Sequence, residues 1–358
     1  LKIKLKHITK YKSKYIESIA AAGNHKLFVK NEVSKNVSFA FMSKTVSSAF
    51  WMTDLQDRSY IEKYLPTSLE YDTYNMNLEV KLIGKNIDEH KVYTNGDLSK
   101  TTKNQFSIRF PAYFSSSSFY FHLAPKNKFI EHRYIHKSIN GRDVGVLIYS
   151  KNQSNVNKAK ADSKNVLKEL ESKLGAWPHK SLVIYVAGRG GMEYCGATIT
   201  SLSALGHELI HSYFARGVMP VDGNSGWMDE AIASWRDGGY KAVRSPNFSS
   251  TSMAAHSSYR RTTDRKAYTQ GANFMAYLNY ELESQGGLIT FLKDYHDKYS
   301  HGRVSTKIFK KEIEYFSGKN FTAQFNTYIF GKRSIDKTSD QENPYHPILS
   351  EQELKDLL

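Results

Sequence analysis

The segment His207-Glu208-Leu209-Ile210-His211 constrains this chain more than any other. On a helix, positions i and i+4 share one face, so both imidazoles can reach a single ion. Glu208 follows the first histidine and can face a water held at that ion. Leu202, Leu205, Leu209 and Ile210 supply an apolar flank for the helix. Trp227-Met228-Asp229-Glu230-Ala231-Ile232-Ala233 begins a second apolar-faced helix, with residues 212–229 separating Glu230 from His211. Two antiparallel helices joined by a loop over 217–226 can converge the three side chains. His207, His211 and Glu230 then make a three-ligand zinc site with one position open for water, the form of a catalytic zinc. The competing reading of the pair alone is two ordinary helix histidines.

The rest of the chain has the size and balance to build such a site. Its 358 residues correspond to about two domains and can bury a core without disulfide or metal staples. With 40% apolar and 24% charged residues, a wholly disordered chain is excluded. The single cysteine, Cys195, rules out an intrachain disulfide and a thiolate-rich structural zinc site, and reads as a small apolar filler. No run approaches about 18 apolar residues, so no integral membrane segment is expected. The chain opens at Leu1 without an apolar signal core, which leads to the expectation that its natural N-terminus has been removed; the compartment stays open. A formal charge of +15 can attract nucleic acid, anionic membrane or acidic peptides. Its lysines are scattered and its aromatics lack the spacing of an RNA-recognition sheet, which favours a solvated basic surface and no nucleic-acid partner.

Residues 1–150 read as β-rich. Short alternating runs recur at Lys26–Val29, Val37–Phe41, Leu78–Leu82 and Phe106–Phe110, separated by turn signals such as Asn95-Gly96-Asp97. Further strands are expected at Phe119–Leu123 and Val144–Tyr149, with a loop at Ser115–Ser118. From about residue 150 the pattern changes. A helix is expected over 154–174, stopped by Gly175, then a strand at Ser181–Val186. Helices follow over 198–216, 227–240, 270–284, 287–299, 304–316 and 320–330. The fold class is therefore α+β: a β-rich N-terminal domain (1–150), a mainly helical domain (151–331) and a polar tail (332–358).

Two more segments complete a recognisable set. Gly191-Met192-Glu193 lies just after the strand Ser181–Val186, and Tyr268-Thr269-Gln270-Gly271 opens an apolar helix. With the paired histidines and Glu230, these four motifs in order resemble the aminopeptidase N family of zinc metallopeptidases, the gluzincins. Glu193 falls in the family's Gly-x-Met-Glu-Asn loop, with Tyr194 in place of the usual asparagine. Tyr268 and Gly271 fall in its Tyr-x-x-Gly motif. The resemblance implies a thermolysin-like catalytic domain holding one zinc ion per chain and a peptide as substrate. It further implies Glu208 as general base and Tyr268 as a donor to the oxyanion. Gly191, Met192 and Glu193 would bind substrate, with Glu193 anchoring the α-ammonium group. Asp229 stands where the family commonly has asparagine and is expected to orient a ligand or cap the helix. Alternatives are an endopeptidase with an open cleft and a catalytically inactive peptide-binding relative.

Overall fold

The computed structural model describes residues 2–4, 24–26, 37–41, 46–50, 77–82, 88–115, 118–220, 225–254 and 263–331. Contacts divide the chain into two units at the Lys128–Phe129 junction.

The first unit is β-rich. Strands β1 (Lys2–Lys4) and β2 (Asn24–Lys26) pair in parallel. Strands β3 (Val37–Phe41), β4 (Val46–Phe50), β6 (His90–Thr94) and β9 (Phe121–Pro125) form a sheet in the order β3-β4-β9-β6. Strands β5 (Asn77–Lys81), β7 (Asp97–Thr102) and β8 (Gln105–Arg109) form another in the order β5-β8-β7. The period-2 alternation is explicit in β8, where Phe106 and Ile108 are buried and their neighbours are not. The Asn95-Gly96 turn carries structure of its own: Asn95 accepts from the Tyr120 amide at 2.7 Å and donates to the Ser118 carbonyl at 2.9 Å. Of the expected run at 26–29, Lys26 ends β2 and residues 27–29 lie outside the described residues, as does the tail from 332.

The second unit holds a five-stranded sheet in the order β10-β11-β12-β14-β13. Its strands are β10 (Ile130–Lys137), β11 (Asp143–Ser150), β12 (Ser181–Val186), β13 (Gly191–Tyr194) and β14 (Ala197–Thr200). β11, β12 and β14 run parallel, and β10 and β13 close the two ends antiparallel. The continuous apolar run Leu182-Val183-Ile184 suits a central parallel strand covered on both faces. Between β11 and β12 the chain crosses over through helix α1 (Gln153–Leu174). Asn152 caps it by accepting from the Ser154 amide at 2.8 Å, and Gly175, at φ 95°, ends it. Val156, Ala159, Leu167, Leu170 and Leu174 form its buried face.

The expected helix over 198–216 is corrected by the structure. Residues 197–200 form β14 instead, because Thr198, Ile199 and Thr200 are β-branched and pair on both sides. The helix that follows, α2 (Leu205–Ile210), is short, and the chain then turns through Gly217 into β15 (Val218–Pro220), which pairs with β16 (Gly302–Val304). Helix α3 (Met228–Asp237) matches the expected second helix but stops earlier. The expected helix at 270–284 opens as a π-helical turn, Ala267–Gly271, before α4 (Ala272–Glu281). Helices α5 (Gly287–Tyr299), α6 (Thr306–Ser317) and α7 (Thr322–Tyr328) complete the unit. Trp227 fixes the start of α3: its ring is fully buried against Phe274, Phe309 and Phe325, and its Nε1 donates to Thr306 Oγ1 at 3.1 Å.

Candidate metal centre and active site

Helix α2 packs on β13, β14 and α3, so the two histidines and Glu230 face one another across a helix pair. Glu230 Oε2 lies 3.0 Å from His207 Nε2 and 3.3 Å from His211 Nε2. One donor atom from each of the three residues lies within 4.8 Å of the others, and among the described residues this is the cluster of metal-ligating side chains that could hold an ion. Each ring is held from behind. His207 Nδ1 bonds Asp237 Oδ2 at 2.7 Å, and His211 Nδ1 bonds the Phe214 carbonyl at 3.2 Å. That leaves Nε2 of both rings directed into the cluster, as metal-ligating histidines require.

The electrostatics fit a cation. Burial lowers the pKa of His207, but hydrogen bonds that the ring donates to the Asp237 and Glu230 carboxylates outweigh it and hold the group at about 9. Burial opposes protonation of His211 likewise, and the charge of Glu230 overrides it to about 10. Glu230 is driven well below the usual carboxylate range: the two histidines overcome a burial cost that acts the other way. A field this negative at the ring nitrogens is what a divalent cation would neutralise.

Glu208 sits beside the cluster, 6% exposed. Its Oε2 is buried without a hydrogen-bond partner, the mark of a group aimed at a ligand or water rather than at the protein. Burial raises its carboxyl to about 8; His211 works against this and Glu193 with it. Gly191 on β13 makes room for that carboxylate, because a Cβ at 191 would overlap Glu208 Oε1. A side chain at 191 would displace the Glu208 carboxylate, so glycine at the head of this strand lets that carboxylate keep its place. Met192 is buried, and its carbonyl accepts from Thr198 Oγ1 at 3.0 Å.

Tyr268, on the π-helical turn, donates to Glu230 Oε1 at 2.6 Å, and its ring stacks on His207 with centroids 6.2 Å apart. Burial and the Glu230 charge raise its hydroxyl pKa, so it remains a donor. Gly271 explains how the turn approaches so closely: a Cβ there would come within 2.8 Å of Ala231 Cβ. A π turn at such a place is typical of functional sites.

Glu193 is close enough to act on Glu208 and His211 but is already paired. Its Oε1 accepts from Arg216 Nη2 at 3.0 Å, and the Arg216 side chain is fully buried. Cys195 is buried nearby with its Sγ 3.7 Å from the Arg216 carbonyl. Asp229 is buried and accepts from the Glu230 amide at 2.8 Å.

Sequence reasoning missed Asp237 and Arg216. Asp237 lies two helical turns beyond Glu230, a spacing that keeps both on one face of α3. Arg216 interrupts the apolar run from Tyr213 to Met219, and a charge in such a run has to find a buried partner.

No family model matches the sequence, and no curated protein matches it. Solved structures do. The chain is similar to Legionella pneumophila aminopeptidase A in complex with aspartic acid, with a TM-score of 0.58 and 14% identity over 83% of this chain and 39% of that one. It is similar to a variant of M1 zinc metallopeptidase from Deinococcus radiodurans bound to a Tyr-Ser-Ala substrate, with a TM-score of 0.58 and 14% identity over 76% of this chain and 67% of that one. A two-domain M1 zinc metallopeptidase variant bound to L-arginine gives a TM-score of 0.56 and 14% identity over 80% and 71%. At these identities the likeness is one of fold, and the chain spans 39% of the length of the Legionella enzyme. The chain shares its fold with M1 zinc metallopeptidases.

Proposed function

We propose that the chain is a zinc metallopeptidase with a thermolysin-like catalytic domain, acting as an aminopeptidase. The observation that carries the reading is the buried His207–His211–Glu230 cluster with the Glu208 carboxylate, unpartnered at Oε2, beside it. The donor set, two imidazoles and one carboxylate, suits zinc with an open position. Bound there, zinc supplies Lewis acidity, which brings a water to a pKa of about 7 and polarises a carbonyl.

In this reading His207, His211 and Glu230 hold one zinc per chain. Glu208 takes the proton from the attacking water at its carboxylate and returns it to the leaving amine. Tyr268 turns its hydroxyl from Glu230 to the substrate carbonyl oxygen as that atom becomes negative. β13 is the end strand of its sheet, and an extended peptide adding to it would run past Gly191, Met192 and Glu193. Glu193 accepts charge-assisted hydrogen bonds from the free α-ammonium group, which would set the first peptide bond beside Glu208.

A second reading, an endopeptidase, is favoured by one observation: Glu193 already has Arg216 as an ion-pair partner. Digests separate the two. The aminopeptidase releases single residues from free peptides, and N-acetylation, which removes the charge Glu193 meets, costs about 2–5 kcal/mol, or at least roughly 30-fold in kcat/KM. Equal cleavage of free and acetylated peptides at internal bonds, read by mass spectrometry, rejects the aminopeptidase and leaves the endopeptidase.

A further inference from the structure

A polar chain runs from α1 to the metal cluster. Glu169, near the end of α1, takes Arg236 in a two-point grip: Arg236 Nη2 donates to Glu169 Oε2 at 2.6 Å, and Nε donates to Oε1 at 3.0 Å. Tyr240 adds a third bond, from its hydroxyl to Glu169 Oε1 at 2.6 Å. The remaining end of the guanidinium, Nη1, donates to Asp237 Oδ1 at 3.0 Å. Asp237 Oδ2 is thereby left for His207 Nδ1, at 2.7 Å.

We propose that Glu169 is a positioning residue for the metal centre: acting through Arg236 and Asp237, it fixes the orientation and tautomer of His207. The inference rests on the metal reading above and is independent of the substrate. The Asp237 side chain is 42% exposed, and an aspartate so open would otherwise sample several rotamers. Arg236, 12% exposed, prevents this by holding the oxygen that His207 does not use. Arginine alone can do so, because its planar fork spends two donors on Glu169 and still presents a third to Asp237. Lysine, a point charge, would leave one of the two carboxylates unheld.

A glycine keeps this path open. Gly206 immediately precedes His207, and a Cβ there would overlap Arg236 Nη1 and lie 2.9 Å from Nη2. The guanidinium therefore lies flat against the start of α2. The obstructed atoms are the end of a flexible side chain, so alanine at 206 displaces the guanidinium without breaking the helix, where alanine is the better former.

The test is zinc affinity, measured by competition with a chromophoric chelator on the full chain. Outer partners of ligating histidines are typically worth roughly 10- to 100-fold in affinity, and Asp237→Ala is expected to fall in that range. Glu169→Gln and Gly206→Ala, one bond further out, are expected to cost about 10-fold each, the lower end of the same range. In the Asp237→Ala background, Glu169→Gln should cost nothing further, because its path to His207 is already cut. Gly206→Ala, which leaves Glu169 and α1 intact, decides the matter if Glu169→Gln fails to fold. Wild-type zinc affinity in Glu169→Gln and Gly206→Ala overturns the proposal alone. So does an undiminished loss from Glu169→Gln in the Asp237→Ala background, since Glu169 would then act through the fold at large. A wild-type chain that takes up no zinc overturns the metal reading itself.

Discussion

Glu208→Gln is expected to lower turnover on a peptide substrate by about 10² to 10⁴, with zinc content and fold retained. Glutamine has the shape of glutamate, so it fills the same space against Gly191. It differs in being unable to take a proton, and a general base is the one role for which shape is insufficient. The substitution orphans no protein group at Oε2, because that atom has no hydrogen-bond partner to lose. Burial and the neighbouring Glu193 hold this carboxyl protonated up to about pH 8, a cost to folding above the ordinary carboxylate pKa that glutamine avoids, so the unfolding midpoint at neutral pH should hold or rise. Three readouts on one sample check this: kcat, zinc by mass spectrometry, and urea unfolding. Turnover within a few-fold of wild type, with zinc present, would mean that Glu208 is not the base.

Arg216→Met is expected to destabilise the protein by about 3–5 kcal/mol. The Arg216 side chain is fully buried, and its partner Glu193 is 7% exposed. Removing the guanidinium takes the buried positive charge from beside Glu193, whose carboxylate also acts on Glu208. Removing both partners should cost far less than removing one, so Glu193→Gln/Arg216→Met should recover most of the loss. Denaturant unfolding of the two single variants and the double gives the coupling directly. If Arg216→Met lies within about 0.5 kcal/mol of wild type, as an ordinary surface change does, the pair is not a structural requirement.

Much of the site was legible because helical spacing is rigid. His207 and His211 have to share a face at i and i+4, and a second apolar helix beginning at Trp227 has to carry Glu230 towards them if both helices bury their apolar sides. The strand at Ser181–Val186 and the helices expected at 154–174 and 287–299 are likewise plain in the sequence. The helix over 198–216 failed for a physical reason. Its first residues are β-branched and are claimed by the strands on either side, β12 and β13, and that pairing is not part of the helical pattern. The π turn carrying Tyr268 was invisible for a similar reason: it depends on Gly271 closing against Ala231 on another helix. The Glu169–Arg236–Asp237 path was beyond sequence reading because it joins α1 to α3 through side chains alone.

The most direct test of the account is zinc content measured together with peptide hydrolysis, in wild type and in His211→Ala. His211 is 1% exposed and lies 3.3 Å from Glu230, so its loss removes one of the three side chains that form the cluster. The account predicts one zinc per wild-type chain, hydrolysis that a chelator abolishes and zinc restores, and neither bound zinc nor hydrolysis in a folded His211→Ala. Stoichiometric zinc that survives His211→Ala, or hydrolysis by wild type that persists without metal, would contradict it.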